Sequence, residues 1–332
     1  PDDVIFTFKL DSILPTSHHN NWKFIKTVTN NGNNNITFHL TPDRNPLIVL
    51  NAIAEASIIP KSVFEPLLKS AKNGKGYNMD KILEFKNDSH PVASGPYILK
   101  TYSPDQIVLE RSENYWRQSK FNGKMPAPKY IIHSIYNGND NFNSAMVRGN
   151  LDVSSIYLPR IWEKSKDRIR AWSRDEPYQL PTTITALVIA TQKEPFNKIA
   201  FRRALAHAID LDKIKARAFS NYTPTVQPGF ILPFGPEGKY FNKEDAKLYG
   251  YGYNTDKARE ILASAGYSWN AEGKLLDKKK KPIRTISIEC PQGWTDWEDA
   301  IHIIVESFAQ IGISAIPKFV DYSTWDLDLR RG

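Results

Sequence analysis

The apolar positions of this chain follow two periods, one helical and one of extended strands. The clearest helical run lies in residues 301–311, where Ile301, Ile304, Val305, Phe308 and Ile311 recur at the i, i+3, i+4, i+7 spacing of a single stripe. Thr295 with Glu298 three residues on predicts a capping box at the start of that helix, and Gly312 predicts its stop. In residues 196–219, Ile199, Ala200, Ala204, Leu205, Ala208 and Ile209 form a second stripe, with another helix expected to begin near Asp210. Residues 256–265 predict a short helix with Asn254 or Thr255 as cap and Gly266 as stop. Residues 47–56 are apolar at near-helical spacing, and 80–85 is a short helical piece. Pro60 stands where a further helix can start, because its missing N–H costs little there. Residues 139–149, with Asp140 or Asn141 as cap, and residues 157–165 complete the helical set.

Strands are predicted at 24–28 and 36–40, joined by TNNGNNN, whose Asn and Gly residues tolerate positive φ. Two more, 97–102 and 106–111, follow the break at Gly95-Pro96 and flank a Ser-Pro-Asp turn. Residues 129–136 and 315–320 read as strands, and 183–191, rich in β-branched residues, as a buried one. Residues 274–276 and 283–289 read as a hairpin around the run Lys278 to Lys281. Residues 4–10 are partly alternating, the entry to a strand or a helix. Residues 220–253, rich in Pro, Gly and Tyr, read as a long loop. The fold class this implies is α/β.

Composition adds limits. A chain of 332 residues has room for two or three domains at roughly one per 150 residues. No apolar run is long enough for a membrane span. The opening PDDVIFTFKL lacks the basic and apolar regions of a signal peptide. Neither end reads as the natural end of a domain, so a fragment is expected. The net charge of +8 would suit an anionic partner. The positive residues are scattered, however, and the lysine run between Asp277 and Pro282 reads as a solvated turn. The 15 Tyr, 16 Phe and 8 Trp lie in apolar-patterned segments and are not interleaved with basic residues, so no nucleic-acid partner is expected. Cys290 is the single cysteine, which excludes an internal disulfide and a cysteine-based metal site.

Motifs for catalysis are lacking. The sequence has no G-x-x-x-x-G-K-[ST], no G-x-G-x-x-G after a strand and no G-x-S-x-G. His18 and His19 are adjacent, so their side chains diverge on a strand or a helix, and no H-E-x-x-H follows. His207 and His302 read as surface or packing histidines, and no carboxylate pair is singled out for glycoside hydrolysis. Binding without catalysis, cofactor or metal is the expectation. The candidate chemistry lies in residues 290–312, CPQGWTDWEDAIHIIVESFAQIG. Trp294 and Trp297 sit before and inside the first helical turn, beside Gln292, Gly293 and Asp296. Indoles there can stack on a flat ligand while polar groups fix its edges, or pack inward as a hydrophobic staple. The local sequence leaves both readings open.

Several stretches together resemble one family. Residues 93–116, ASGPYILKTYSPDQIVLERSENYW, resemble the S/T-G-P-Y … V-L-E-R-x-x-x-Y-W segment of the family 5 extracellular solute-binding proteins. These are the oligopeptide-, dipeptide-, nickel- and oligosaccharide-binding components of ABC importers. Residues 196–219, FNKIAFRRALAHAIDLDKIKARAF, are similar to that family's helix pair, with Leu211 where Arg is frequent. Residues 253–267, YNTDKAREILASAGY, are similar to its Y-[DN]-P-x-K-A segment, with Thr255 in place of Pro. Residues 3–8, DVIFTF, resemble its D-V-V-F-[ST]-F opening. Ala190 departs from an Asn that the family commonly carries at that strand end.

The resemblance implies a periplasmic-binding-protein type II-like fold of class C, two lobes plus a small extra domain, truncated at both ends. Residues 1–93 would be most of the small domain, 94–195 part of lobe I, and 196–332 the start of lobe II. It further implies an extracytoplasmic monomer, in the periplasm or lipid-anchored on the outer face of the membrane, that delivers its ligand to ABC permease subunits. Gln292 to Trp297, Ile311-Gly312-Ile313 and Tyr322-Ser323-Thr324-Trp325 resemble the subset associated with β-linked cello-, xylo- or manno-oligosaccharides. That points to Trp294, Trp297, Asp296, Gln292, Trp325 and Tyr322 as ligand-binding residues. A pyranose has an apolar face that stacks on indole and a rim of hydroxyls that bond Asp, Asn and Gln. Peptide binding on the same scaffold stays open, and a carbohydrate-active enzyme with tryptophan platforms is the reading from another class. Nothing in the residues supports a nickel chelate.

Overall fold

A computed structural model describes residues 1–14, 23–42, 46–88, 91–167, 169–171, 173–175, 178, 184–224, 231, 233 and 235–331. Its contacts gather into two compact units, Pro1–Ile135 and Tyr136–Gly332.

In the first unit the residues at 4–10 are helical, within a helix Asp2–Asp11 that buries Phe6, Phe8 and Leu10. Phe8, Ile25 and Val49 form a small core with the hairpin Ile25–Asn30 and Ile36–Leu40 and the helix Pro46–Glu55. Phe8 meets Phe38 edge-on at 4.8 Å, the favoured arrangement of two ring quadrupoles. The hairpin turn uses Gly32, Asn33 and Asn34 at positive φ, as the Asn/Gly run predicts. The helix Lys61–Ala71 starts after Pro60, and the Asp3 carboxylate accepts the Lys61 N–H at 2.7 Å. A tiny hairpin, Lys72–Asn73 with Gly76–Tyr77, and a helix Met79–Leu83 follow. Strands Tyr97–Ser103, Gln106–Arg111 and Tyr130–Ser134 make an antiparallel meander. The S-G-P-Y to Y-W segment is closed on itself. Trp116 Nε1 donates to the Ser94 carbonyl at 2.9 Å, and Arg111 donates to the Pro126 carbonyl at 2.8 Å.

The second unit is built on a parallel strand pair, Ile286–Pro291 with Ala315–Val320, crossed over by the helix Thr295–Gln310. Parallel neighbours need such a crossover. The helix buries Ala300, Ile301, Ile303, Ile304 and Phe308 against the strands and the helices Ile199–Ala208 and Thr255–Ser264. Those two helices meet at Ala204, Ala208 and Ala258, all fully buried; the small side chains let the backbones approach. Phe308 and Leu262 are also fully buried, each contributing about 1.5–3 kcal/mol of apolar burial. Asp210 and Asn254 cap the helices that follow them, accepting the N–H of Lys213 at 2.9 Å and of Lys257 at 2.8 Å. His207 is a packing histidine: its Nδ1–H donates to the Gly252 carbonyl at 2.9 Å. The last carbonyls of the Thr295–Gln310 helix are satisfied from outside, Gln310 by Arg259 Nη2 and Ile311 by Trp269 Nε1.

Several expectations change. The helix from 139 is Asn139–Val147, and its cap position holds Gly138 at φ 130, not Asp140 or Asn141. Residues 157–165 do not form one helix. Pro159 disfavours helical backbone before it, Arg160 sits at φ 49, and only a 3₁₀ turn, Ile161–Asp167, follows. Residues 184–190 form no strand, and Val188 is 69% exposed. Thr183 lies outside the described residues, as do His18 and His19. The 220–253 stretch contains a helix Lys243–Tyr249 capped by Asn242, after a 3₁₀ turn Gly235–Tyr240. The hairpin of 274–276 with 283–289 reduces to one bridge, Leu276 to Pro282. Leu275–Leu276 pairs with Ser268–Trp269 instead, and Ile286–Pro291 takes a parallel partner. The lysine run between them is an exposed turn whose backbone is held by Asp277, which accepts the N–H groups of Lys279 and Lys281 at 2.8 Å.

Gly312 ends the long helix at φ 82, and a Cβ there would run into the Gly273 carbonyl and into the Trp269 ring at 2.7 Å. Gly312→Ala in the full-length protein is expected to cost about 2 kcal/mol or more, from backbone strain and the clash together. Urea denaturation measures it, and a midpoint equal to the wild type would refute the assignment.

Candidate ligand-binding site

The site is organised by the turn between the first parallel strand and its helix. Gln292 prolongs the strand pairing, its N–H donating to the Val320 carbonyl at 2.7 Å. The chain then reverses at Gly293, φ 84. The helix starts one residue earlier than a Thr295 cap implies: Trp294 takes the cap position and has no side-chain capping bond. Glu298 instead reaches past it to accept the Gly293 N–H at 2.6 Å. Thr295 gives its hydroxyl oxygen to another part of the chain. Asn139 Nδ2 donates to Thr295 Oγ1 at 3.3 Å and to Asp296 Oδ1 at 3.2 Å. The Asn139 N–H also donates to the Gly293 carbonyl at 2.8 Å. These bonds need the two backbones almost touching. A Cβ on Gly138 would lie 2.9 Å from Gly293 Cα, and one on Gly293 2.8 Å from Gly138 Cα. Both glycines are therefore required where they stand.

Four aromatic side chains gather beyond this turn. Trp294 meets Trp297 edge-on, with centroids 4.8 Å apart at 81°. Tyr322 and Trp325 come from the next helix, Tyr322–Arg331. They lie 6.1 Å and 6.0 Å from Trp294 and are tilted to it by 36° and 50°. Trp325 also meets Trp297 at 5.9 Å and Tyr322 at 5.7 Å. The start of that helix is fixed by Asp321, which accepts the Thr324 N–H at 3.0 Å, a capping pattern visible in the sequence but not read there. The two tryptophans at 294 and 297 have different roles. Trp297 packs against the hydrophobic core, as a staple would. Trp294 bridges Trp297 to Tyr322, which is 56% exposed. Gln292 is exposed at the same turn.

Asp296 completes the group. Burial raises its carboxyl above the ordinary carboxylate range, against the stabilising pull of its own N–H, the Asn139 amide and the Trp297 N–H. The nearby Cys290 thiol is buried and pushed up to about 12, by burial first and then by the charges of Glu298 and Asp296. It is held as an inert thiol. The turn thus combines aromatic faces with a half-buried carboxylate and an amide. That combination stacks on flat apolar surfaces and accepts hydrogen bonds from hydroxyl or ammonium groups. Among the described residues no group of histidine, cysteine and carboxylate side chains could hold a metal. Asn139 is the member that sequence reasoning missed. Its signal is Asn137-Gly138-Asn139 at the start of a helix, where a glycine permits close backbone approach.

The model of the bacterial extracellular solute-binding proteins, family 5, matches residues 1–332, and the chain belongs to that family. A Thermotoga maritima periplasmic oligopeptide-binding protein, solved with bound mannohexaose, is 29% identical with a TM-score of 0.86, covering 99% of this chain and 59% of that one. The fold is accordingly the α/β periplasmic-binding-protein fold, type II-like and of class C. Curated relatives include heme-binding protein A of Haemophilus influenzae, 23% identical over 250 residues, with 74% of this chain and 40% of that protein covered. Another is the oligopeptide-binding protein AppA of Bacillus subtilis, 24% identical over 344 residues, with 98% and 58% covered. The chain thus spans about half the length of the curated relatives it matches, 40% and 58% of these two.

The raised pKa of Asp296 has a signed consequence. The folded state holds this proton more tightly than the unfolded chain does. Stability therefore falls as pH rises from the ordinary carboxylate range through the raised value, and the loss is complete above it. Asp296→Asn should remove that loss. In full-length protein the variant is expected to be at least as stable as wild type at pH 7, with the difference shrinking toward pH 4. Urea denaturation at the two pH values checks this; a variant less stable at pH 7 would show that the charge is net stabilising.

Proposed function

We propose that this chain is the ligand-capturing part of the solute-binding component of an ABC importer, and that its ligand is an oligosaccharide. The observation that carries the reading is the ring group of Trp294, Tyr322 and Trp325 beside the half-buried Asp296 carboxylate. Sugar rings need this combination: an aromatic surface for the C–H face and a fixed acceptor for the hydroxyl rim. The mannohexaose bound by the Thermotoga maritima relative supports it from outside the chain. In this reading residues 1–93 are most of the small domain, 94–195 belong to lobe I and 196–332 begin lobe II. Ligand contacts from both lobes would favour closure, and closure presents the protein to permease subunits outside the cytoplasm. No bond of the ligand is broken in this role, so the protein is not an enzyme.

Oligopeptide capture is the second reading. It is favoured by the oligopeptide-binding name of the Bacillus subtilis relative and by the capacity of Asp296 to pair with an ammonium group. Tryptophan fluorescence of the full-length protein, titrated with cellobiose, xylobiose, mannobiose, mannohexaose and a peptide pool, separates the two. A response to peptides alone would end the saccharide reading.

Trp294→Ala is expected to weaken saccharide binding about tenfold, equivalent to roughly 1.4 kcal/mol, with the melting temperature nearly unchanged. Trp297→Ala, which removes a ring packed on the core, is expected to lower stability by about 2 kcal/mol. Circular dichroism melts beside the titration separate the effects, and the reverse pattern would interchange the roles of the two rings.

A further inference from the structure

One connection in the first unit concentrates the positive charge of the chain. Between the strands Gln106–Arg111 and Tyr130–Ser134 it carries Arg111, Arg117, Lys120, Lys124 and Lys129 against a single carboxylate, Glu113. Residues 111–129 therefore hold a net +4, half of the +8 of the whole chain. The neighbouring carboxylates are already paired. Glu113 lies 3.2 Å from Arg111, and Glu110 lies 3.4 Å from Lys100. Arg117, Lys120, Lys124 and Lys129 are exposed and form no ion pair among the described residues.

The connection is fixed along its length. The Arg111 N–H donates to the Lys129 carbonyl at 2.9 Å, and the Tyr97 hydroxyl donates to the Pro128 carbonyl at 2.8 Å. Its tip is a turn around the 3₁₀ helix Gln118–Phe121, closed by Asn122 at φ 54. Gln118 and Gly123 bond each other twice. The Gly123 N–H donates to the Gln118 carbonyl at 3.1 Å, and the Gln118 amide donates to the Gly123 carbonyl at 3.2 Å. These bonds hold Arg117, Lys120 and Lys124 on one short turn. Trp116 opens the same turn and is 68% exposed. Its polar edge is spent, because Nε1 donates to the Ser94 carbonyl at 2.9 Å, and the Arg117 guanidinium lies 5.3 Å from its ring. At the far end of the connection, Tyr130 sits between Lys100 and Lys129, which lie 4.3 Å and 5.4 Å from its ring. The apolar core of this unit, around Phe8, Ile25 and Val49, is built on other elements.

Cations without counter-ions attract a negatively charged surface. Tryptophan and tyrosine flanked by lysine and arginine suit the boundary between lipid headgroups and acyl chains. We propose that the 111–130 connection is a docking surface for an anionic phospholipid membrane, with Arg117, Lys120, Lys124 and Lys129 against the headgroups and Trp116 at their boundary with the acyl chains. A protein that hands its ligand to a permease works beside such a surface, and electrostatic attraction would concentrate it there. The docking surface uses no residue of the Trp294 ring group, so it stands or falls separately from the saccharide reading.

Vesicle co-sedimentation of the full-length protein, purified without any acyl chain, tests it. The wild type is expected to bind vesicles of phosphatidylcholine with about one third phosphatidylglycerol, and not those of phosphatidylcholine alone. Raising the salt from about 0.05 M to about 0.5 M should release it. Lys120→Ala with Lys124→Ala is expected to weaken partitioning about tenfold or more. Lys279→Ala with Lys281→Ala removes the same charge from the exposed turn of the second unit, and should change it by less than about twofold. Trp116→Ala should weaken partitioning about fivefold; the lysine variants decide the matter if it fails to fold. A wild type indifferent to phosphatidylglycerol overturns the docking surface. So does an equal loss in both lysine pairs, which marks attraction by total charge alone. A Lys120 and Lys124 variant that partitions like the wild type overturns it too, and leaves the connection a solvated turn.

Discussion

The close approach of Gly138 and Gly293 is the constraint from which the site follows. Each glycine occupies positive φ, and each Cα fills the space where a side chain of the other would begin. Only with both side chains absent can the Asn139 N–H reach the Gly293 carbonyl and its amide reach Thr295 and Asp296. Asn139 is 7% exposed, and the helix that its amide bonds begins at Thr295 with Trp294 in the cap position. The helix then opens on Trp294, and the indole is directed by the backbone at the turn rather than by a capping bond. A single backbone contact thus fixes where the helix begins, where the carboxylate lies and which ring is left to face Tyr322 and Trp325.

Behind the turn, the division of labour between the tryptophans has a plain cause. Trp297 lies in the first turn of the helix, on the side that carries the buried stripe, and its ring packs against the core. Trp294 precedes the stripe and is gathered by the next helix through Tyr322 and Trp325. One ring is anchored so that the other is held at a fixed tilt.

Much of the frame was legible in the sequence because it is local. The stripe from Ile301 to Ile311, the helix start near Asp210 and a cap at Asn254 or Thr255 depend on residues within one or two turns of each other, and the structure has all three, with Asn254 as the cap. The errors came where distant residues decide. Thr295 and Glu298 carry the pattern of a capping box, but Asn139, more than 150 residues away, takes the threonine oxygen. Residues 283–289 look like half of a hairpin, yet parallel pairing with 315–320 depends on a crossover that no local pattern encodes. The β-branched run at 184–190 has strand propensity, but it pairs with no strand among the described residues. Of the candidate site, Trp294 and Trp297 stand out in the local sequence, whereas Tyr322 and Trp325 are pointed to by the family resemblance. Their grouping, and the part of Asn139 in it, are legible in neither, because both arise from the fold.

The most direct test of the central claim is a crystal structure of the full-length protein grown with mannohexaose. The expected result is a pyranose ring stacked on Trp294, with Asp296 or Gln292 within hydrogen-bonding distance of its hydroxyls. A saccharide bound away from the Trp294, Tyr322 and Trp325 rings, or a peptide occupying that place in its stead, would contradict it.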